Sequence, residues 1–386
     1  MLARKKTVYV GADIITLSDA CPRAEAVCVA DGRIDCLGSR EDVLEYARPG
    51  GCEIVDLGGG TLYPGFIDTH SHMSSFSNCL RQVYCGSSLG SIAAVQQALR
   101  EKAPSIEGEW IVGYGFDDSG IPDKRHMDRH DLDAVSTDRP VLVVHISVHM
   151  GYLNSVGLRR LGFTADTKIP GGEIVLDEHG EPTGLLLENA LIAAAGKLPA
   201  PTPEEVRASL VEAIAEYNKQ GFTTFQDGGL GINGDAAVFL KPYMELAREG
   251  RLDARAYLQF LPEEFDRLSA LGAWGIGTDF LKIGGVKFFT DGSIQGFTGA
   301  LLEDYHTRPG YRGDLIWDTD AIDAIVMKYH CMGIQVAVHT NGDAASEAVI
   351  RAFEKAVARC PRTDLRHMLV HAQLVSDDQL RRMKAC

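Results

Sequence analysis

The chain has 386 residues, of which 45% are hydrophobic, and a formal net charge of −15. This length and composition are typical of a globular protein with a large core, either one large α/β barrel plus a smaller domain or two to three ordinary domains. The acidic charge argues against a nucleic-acid partner, because no excess of Lys and Arg is available to neutralise phosphates. No apolar run approaches the roughly 20 residues that span a bilayer, and the N-terminus lacks the apolar core of a signal peptide.

The nine cysteines are an odd number and include no CxxC pair. This pattern indicates reduced thiols rather than a disulfide framework. We therefore expect a cytoplasmic protein that has neither a nucleic-acid nor a membrane partner. The sequence leaves a homo-oligomer open.

The first 63 residues are predicted to form a separate small β domain. Apolar and polar residues alternate from residue 7 to about 62, with turn signals at Asp31-Gly32 and Gly58-Gly59-Gly60. Alternation of this kind is typical of half-buried strands, and it predicts a small antiparallel sheet.

Residues 64–386 are predicted to form the second domain, in which short apolar strands alternate with helices. The segments 203–221 and 321–333 carry apolar residues at helical spacing and end at a Gly. Strands alternating with helices imply parallel βαβ units, here a (β/α)₈ barrel seen in part. The stretch from about 108 to 195 is rich in Asp, Gly and Pro and is predicted to be an insertion. The predicted barrel strands are 66–70, 222–228, 254–260, 284–292, 333–343 and 367–373.

Histidines lie where several of these strands end. His70 and His72 close the first strand, and alternation places both on one face. His339 and His371, which lie 32 residues apart, end the fifth and sixth strands. Barrel enzymes build their sites at these strand ends, and neutral imidazoles suit Zn²⁺. The pattern predicts a metal site, although each histidine alone is more often incidental.

Lys287 lies in the fourth strand, within the apolar string GGVKFF. An apolar strand disfavours an ammonium group, and a neutral amine can capture CO₂. The alternative is an ordinary lysine whose stem covers apolar surface while its amine reaches water, or one held in a salt bridge.

Several motifs together resemble the metal-dependent amidohydrolase superfamily. YPGFIDTHSH is similar to its first-strand motif, GFTTFQDGG to its second strand, and VKFFTDGS, VAVHTNGDAA and LVHAQLV to its fourth, fifth and sixth strands. DLDAVSTDRPV, VHMGYLNSVGL and GGEIVLDEHGEPTGLLLENA resemble the amidohydrolase-3 branch, the YtcJ-like group that includes the N-substituted formamide deformylases. The resemblance covers nearly the whole chain, and it implies that residues 1–63 are part of a flanking β-sandwich of the urease type.

The resemblance also implies roles for individual residues. His70 and His72 would hold one metal, and His339 and His371 a second one. Lys287 would bridge them as a carboxylated lysine, with one or two divalent metals, expected to be Zn²⁺. Four further residues lie in family-like motifs and are candidates for substrate binding: Asp117, His149, Glu188 and Asp291. For Asp291 and Glu188 a structural role, as a turn cap or an ion-pair partner, is equally open.

One expected feature of the superfamily is missing from the sequence. Only fifteen residues follow His371, so strands seven and eight, with the catalytic aspartate that usually ends strand eight, are absent. We expect these residues to be part of a longer chain. Asp377 and Asp378 follow Ser376 and are predicted to form the first turn of a helix, not to replace that aspartate.

The reaction that the resemblance implies is hydrolysis of a C–N bond in a small-molecule amide substrate by metal-activated water. Two alternatives stay open. One is a deaminase or cyclic-amide hydrolase on the same scaffold, and the other is a truncated, non-catalytic relative.

Overall fold

The computed structural model describes residues 5–106, 108–232, 234–272, 275, 277–362 and 364–386. The chain divides into two compact units, Met1–Ile67 and Asp68–Cys386. The strands are β1 (Lys6–Ile15), β2 (Arg23–Ala30), β3 (Arg33–Gly38), β4 (Cys52–Asp56), β5 (Thr61–Leu62), β6 (Phe66–Ser71), β7 (Val83–Tyr84), β8 (Ile111–Phe116), β9 (Val141–His145), β10 (Met150–Leu153), β11 (Gly172–Leu176), β12 (Pro182–Glu188), β13 (Phe222–Leu230), β14 (Arg255–Phe260), β15 (Leu281–Phe289), β16 (Val336–Thr340) and β17 (Met368–His371). The α-helices are α1 (Arg40–Ala47), α2 (Met73–Cys79), α3 (Ile92–Lys102), α4 (Arg129–Asp133), α5 (Ser155–Leu161), α6 (Asn189–Ala195), α7 (Pro203–Lys219), α8 (Ala236–Arg248), α9 (Pro262–Ala270), α10 (Thr319–Cys331), α11 (Asp343–Arg359) and α12 (Asp377–Ala385). None of the helices in these described ranges is long and apolar enough to cross a membrane.

The described strands of the first unit form one mixed sheet. Its order is β3-β2-β1-β4, and β5 also pairs with β1. The β1–β2 and β2–β3 pairs are antiparallel, but β4 and β5 run parallel to β1. The prediction of an antiparallel sheet is therefore wrong for this half, because helix α1 returns the chain so that β4 enters in the same direction as β1. The two-layered sandwich stays a prediction of the resemblance.

The predicted turns of this unit are present. Asp31 and Gly32, with φ of 50° and 73°, connect β2 to β3 in the left-handed geometry that two-residue hairpins favour. Gly58, Gly59 and Gly60 follow β4 and have φ of 67°, 108° and 80°. Glycine adopts these angles without the steric cost that a Cβ would bring.

One sheet of the second unit has the order β11-β12-β10-β9-β8-β7. Its strands lie between Val83 and Glu188 and overlap the stretch from about 108 to 195 that the sequence predicts to be an insertion. Strands β8 and β9 are parallel, whereas β10 is antiparallel to both β9 and β12. The ends of β8, β9 and β12 and the start of β10 therefore lie side by side at one end of this sheet, where His145, His149 and Glu188 are found.

The other six-stranded sheet of the second unit has the order β17-β16-β15-β14-β13-β6. The pairs from β13 to β17 are all parallel, as the alternation of strands and helices predicts. Each of these six strands overlaps one of the six predicted segments. The apolar residues of one face pack with helices α7 to α11 in a single core; they include Leu258, Phe260, Val286, Phe288, Val336 and Val338.

This sheet is curled into a nearly closed, barrel-like form. Strands spaced about 4.8 Å apart would separate the two edge strands of a flat six-stranded sheet by about 24 Å. The ring centroids of His70 on β6 and His371 on β17 are only 5.4 Å apart. Gln226 Nε2 likewise lies 3.8 Å from Met368 Sδ on the far edge strand. The curl brings the two edges together at the end where the strands finish.

Two predicted helices show their sequence signals directly. Helix α7 begins after Thr202, whose side chain forms a capping box with Glu205, and Pro203 occupies the first turn. Helix α12 begins after Ser376 in the same way, with Asp377 and Asp378 in its first turn. The interpretation of these two aspartates as helix-start residues is confirmed.

Candidate metal centre

Four histidine rings from three strand ends of the curled sheet form a cluster. The centroid of the His70 ring lies 5.0 Å from that of His72 and 5.4 Å from that of His371. The rings of His339 and His371 are 4.7 Å apart. Strands β16 and β17 place the last two rings side by side, because His339 pairs with Val370 and Thr340 with His371. The structure thus brings together all four histidines that the sequence predicts as a set.

Lys287 lies on the same inner face of the sheet. Its neighbours Val286 and Phe288 belong to the outer core, so strand alternation turns Lys287 inward. The side chain is fully buried, and its Nζ lies 5.2 Å from the centroid of the Phe289 ring. The Phe289 ring in turn lies 5.1 Å from that of His339. The alternative of a lysine that reaches water, or is held in a salt bridge, is therefore wrong.

Several atoms of this cluster have no partner in the protein. Both ring nitrogens of His70 and the Nζ of Lys287 are buried and make no hydrogen bond. Buried polar atoms are nearly always paired, because desolvation without a partner costs about 1–3 kcal/mol each. Unpaired nitrogens that converge on one place indicate a site prepared for a polar or metallic ligand.

The ring of His339 is held through Nε2, which lies 2.9 Å from the carbonyl oxygen of Gly292 and 3.1 Å from Asn341 Nδ2. The contact with the carbonyl oxygen favours the neutral tautomer that carries its proton on Nε2 and leaves the lone pair of Nδ1 free. A metal-binding histidine typically donates its other N–H to a carbonyl or carboxylate in this manner.

Burial keeps the cluster in the neutral form that binds metals. It is the main cause that lowers the pKa of His70 to about 3 and the pKa of His72 to about 4, with Lys287 as the second cause. Burial also lowers the pKa of His339 to about 3 and the pKa of His371 to about 4. For Lys287, burial lowers the pKa to about 7, so an appreciable fraction of its amine is uncharged near neutral pH.

The backbone at His371 is in an uncommon conformation. His371 and the following Ala372 have φ of 68° and 44°, the left-handed region that costs a non-glycine residue about 1–2 kcal/mol. Strain of this kind is concentrated at functional sites. It turns the chain sharply at the point where the His371 ring meets those of His70 and His339.

His149 and Glu188, predicted to bind substrate, lie at the polar end of the sheet formed by β7 to β12. They are beside the cluster of four histidines. His149 Nδ1 is 2.7 Å from Glu188 Oε2, and the other Glu188 oxygen accepts a hydrogen bond of 2.8 Å from Thr298. The ring of His149 lies 6.3 Å from that of His339. Glu188 has φ of 49°, a further strained position. The geometry places this pair next to the four clustered histidines.

Asp291, the third such candidate, is buried and already engaged. Its carboxylate accepts hydrogen bonds from the backbone N–H groups of Ala300, Asn341 and Gly342, at 3.0, 2.9 and 2.7 Å. Burial raises the pKa of Asp291, and the N–H groups oppose that shift. This geometry favours the structural role that the sequence left open, in which Asp291 fixes the segment after β15.

Asp117, the fourth candidate, belongs to a separate group. Within the described ranges, Asp117, Asp118 and His145 are the only set of three or more His, Cys, Asp or Glu side chains whose donor atoms all lie within 4.8 Å of one another. Ser147 N–H donates to His145 Nδ1 at 3.1 Å, so the proton of the neutral ring is on Nε2, which lies 3.2 Å from Asp118 Oδ1. Asp117 accepts from Ser119. The group is therefore a hydrogen-bonded network that a metal would have to disrupt.

Sequence reasoning missed two residues of these sites. Asp118 was overlooked in the Asp117-Asp118 doublet, although it contacts His145. Gln259 is fully buried on β14, and both polar atoms of its side chain are unpaired. Its signal was visible as a polar residue between the apolar Leu258 and Phe260, at the alternate position of a barrel strand.

The curled parallel sheet carries neutral histidines and a buried lysine at its strand ends, where barrel enzymes build their active sites and with side chains of the kind that bind metals. Comparison with known proteins agrees. The sequence pattern of the Amidohydrolase family matches residues 53–386, and the chain belongs to this family.

Three relatives illustrate the similarity. The chain is 31% identical to the protein YtcJ of Bacillus subtilis (strain 168), over 98% of this chain and 70% of that one. It is 28% identical to N-substituted formamide deformylase of Arthrobacter pascens, over 99% and 72% of the two chains. A crystal structure described as an uncharacterized metal-dependent hydrolase of Pyrococcus horikoshii OT3 superposes with a TM-score of 0.78 and 26% identity, over 99% of this chain and 73% of that one.

Proposed function

We propose that the protein is a metal-dependent amidohydrolase that uses water to hydrolyse a C–N bond of the amide type. The observation that carries this proposal is the convergence of unpaired, buried nitrogens: both nitrogens of His70 and the Nζ of Lys287. A purely structural core would pair or omit such groups. Family membership supports the same reaction class.

The donor set fits a divalent metal, expected to be Zn²⁺. His70 and His72 would hold one ion, and His339, through Nδ1, would hold a second with His371. Imidazole nitrogen is a preferred ligand of zinc, and all four rings are neutral near pH 7 because burial lowers each pKa. The bound metal would supply polarisation of the substrate carbonyl and activation of water.

Lys287 would contribute as a carboxylated lysine. Its pKa of about 7 leaves neutral amine available, and the nitrogen lone pair can attack the carbon of CO₂. A C–N bond forms, one C=O double bond opens to an oxyanion, and the nitrogen releases a proton to solvent. The product would carry two oxygen ligands on the inner face of the sheet in place of a buried ammonium group.

His149 and Glu188 would contact the substrate. Because Glu188 engages Nδ1, the other ring nitrogen of His149 remains for a hydrogen bond to a bound molecule. Thr298 holds the second oxygen of Glu188, so the pair is fixed from two sides. Their position beside His339 puts this contact next to the proposed metals.

The test is amide hydrolysis by protein reconstituted with zinc and bicarbonate. The name of one relative, N-substituted formamide deformylase, makes N-substituted formamides the first substrates to try, followed by other amides and cyclic amides. We expect zinc-dependent release of amine that His339→Ala abolishes. His179→Ala is the matched control, since His179 is exposed and on the insertion. Hydrolysis that persists in His339→Ala, or that needs no metal, would contradict the proposal.

A further inference from the structure

The unpaired buried atoms are concentrated in three residues. Among the described residues, seven buried side-chain nitrogen or oxygen atoms lack a hydrogen-bond partner, and five of them belong to His70, Gln259 and Lys287. The proposed metal accounts for His70 and Lys287. The metal does not explain Gln259. Its amide can donate two hydrogen bonds and accept two, yet it is buried and makes no hydrogen bond.

Gln259 shares the inner face of the sheet with Lys287. On β14, Leu258 and Phe260 belong to the outer core, so alternation turns Gln259 inward. On β15 the same holds for Lys287 between Val286 and Phe288. The two strands are adjacent and parallel, and Phe260 pairs with Val286 just after an irregularity in the register. Gln259 precedes and Lys287 follows this pair, so the two inward side chains lie diagonally across the two strands, near the strand ends.

On its other side Gln259 adjoins the histidine cluster. It pairs with Gly228 of β13, and a Cβ at Gly228 would lie 2.7 Å from Cε1 of His70. The His70 ring therefore fills the space over Gly228, one strand away from Gln259. A Cβ at the next residue, Gly229, would lie 3.7 Å from Cγ of Lys287. These contacts surround Gln259 with the parts of the proposed metal centre.

We propose that Gln259 is the positioning residue for the carboxylated form of Lys287, an inference that rests on the proposed function. Gln259 and the unmodified lysine do not reach each other, since neither has a hydrogen-bond partner. Carboxylation lengthens Lys287 by one carbon and two oxygens. Nε2–H of Gln259 then donates to a carbamate oxygen, and Oε1 accepts the N–H that remains on Nζ. A hydrogen bond to an anionic oxygen is of the stronger, charge-assisted kind.

A positioning role and a merely buried glutamine differ in what an apolar replacement does to metal affinity. A polar side chain with no function and no partner destabilises the fold, so Gln259→Leu would leave the metal-free protein equally stable or more stable. If Gln259 holds the carbamate, the same variant loses the modification and, with it, metal affinity. Gln259→Glu makes the contrast sharper, because a carboxylate of the same shape favours the ammonium form of Lys287 and repels the carbamate.

The experiment measures carboxylation and metal retention directly, without an activity assay. Wild type, Gln259→Leu and Gln259→Glu are equilibrated with zinc and ¹³C-bicarbonate; ¹³C NMR reports the carbamate and elemental mass spectrometry the zinc left after dialysis. Gln226→Leu is the matched control, since Gln226 lies on the adjacent strand and contacts Met368 Sδ. Melting temperatures of the metal-free proteins report folding.

We expect Gln259→Leu to lower zinc affinity by about 10- to 100-fold, the range seen when residues that support metal ligands are removed, and to reduce the carbamate signal. Gln259→Glu should lower both further, and Gln226→Leu should change neither. A carbamate signal and zinc retention in Gln259→Leu equal to those of the wild type would overturn the assignment to Gln259 alone. A wild type that binds zinc but never shows the carbamate would overturn the inference and the carboxylated lysine together, while leaving the histidine site in place.

Discussion

Histidines lie near both ends of the curled parallel sheet, and the two groups differ in their hydrogen bonding. His367 directly precedes β17, and Val336 N–H donates to its Nδ1 at 3.0 Å. Its Nε2 lies 2.9 Å from His330 Nδ1, and His330 Nε2 lies 2.7 Å from the carbonyl oxygen of Cys360. One continuous chain of hydrogen bonds satisfies all four nitrogens with both rings neutral. At the other end, the buried nitrogens of His70 have no partner.

We propose that this difference separates a structural histidine from a metal-ligand histidine. His367 and His70 are both half-buried, and burial lowers the pKa of the first to about 4 and of the second to about 3, so burial and a lowered pKa do not tell the two kinds apart. The hydrogen-bond partners distinguish them. A histidine that connects two segments uses both ring nitrogens in hydrogen bonds, whereas a metal ligand keeps one lone pair free. The variants below should therefore have opposite effects on stability and on metal binding at the two ends.

The largest effect is expected for His70→Leu. This variant removes a ligand and two unpaired buried nitrogens, so activity on an amide substrate should fall by roughly a thousandfold, equivalent to about 4 kcal/mol. Zinc content should fall with it, while urea unfolding of the metal-free protein should show equal or greater stability. A variant that keeps full activity, or one that is much less stable without metal, would show that His70 is structural.

His330→Leu is the converse variant. His330 is buried, and its loss leaves the Nε2–H of His367 and the carbonyl oxygen of Cys360 without a partner. Urea unfolding should show a loss of about 1–3 kcal/mol in the free energy of unfolding, with zinc content unchanged. Loss of zinc from a folded His330→Leu protein would be the result that breaks the distinction.

The histidine pair should also make stability depend on pH. Burial, followed by the nearby His330, lowers the pKa of His367 from 6.5 to about 4. The folded state therefore binds fewer protons than the unfolded state between these values, and stability falls as the pH drops from about 6.5 to 4. The slope of unfolding free energy against pH in this window should be shallower in His367→Gln. An unchanged slope would assign the acid sensitivity to other groups.

The smallest effect is expected at Asp118. Asp118→Asn weakens the bond to His145 but keeps the shape, so we expect a loss of about 0.5–1.5 kcal/mol in unfolding free energy and no change in zinc content. Elemental mass spectrometry after dialysis measures the zinc. If the variant lost one zinc per chain, the group of Asp117, Asp118 and His145 would be a metal site after all.

Patterns that repeat along the chain were predictable. The six strands of the curled sheet, the helices α7 and α10, and the turn at Asp31-Gly32 all follow from periodicity and from glycine or cap residues. His339 and His371 could be grouped because residues at the ends of neighbouring parallel strands must be close in space. His70 lies on the opposite edge strand, and only the expectation of a barrel placed it with them. The parallel pairing of β4 with β1 could not be predicted, because the alternating pattern of a short strand is the same in both chain directions.

The sequence was less informative about which polar groups have partners. Asp291 and His149 lie in similar motifs, yet Asp291 accepts three backbone N–H groups and His149 makes a side-chain pair with Glu188. These partners come from segments far apart in the chain, so only the folded structure reveals them. For Gln259 it is the absence of hydrogen-bond partners that the sequence YLQF does not reveal.

The most direct test of the central claim is anomalous X-ray diffraction at the zinc edge from crystals grown with zinc and bicarbonate. We predict one or two strong peaks among the rings of His70, His72, His339 and His371, next to the end of the Lys287 side chain. A zinc peak only beside Asp117, Asp118 and His145, or no peak at the barrel histidines in zinc-saturated crystals, would contradict the claim that these strand ends form the metal centre.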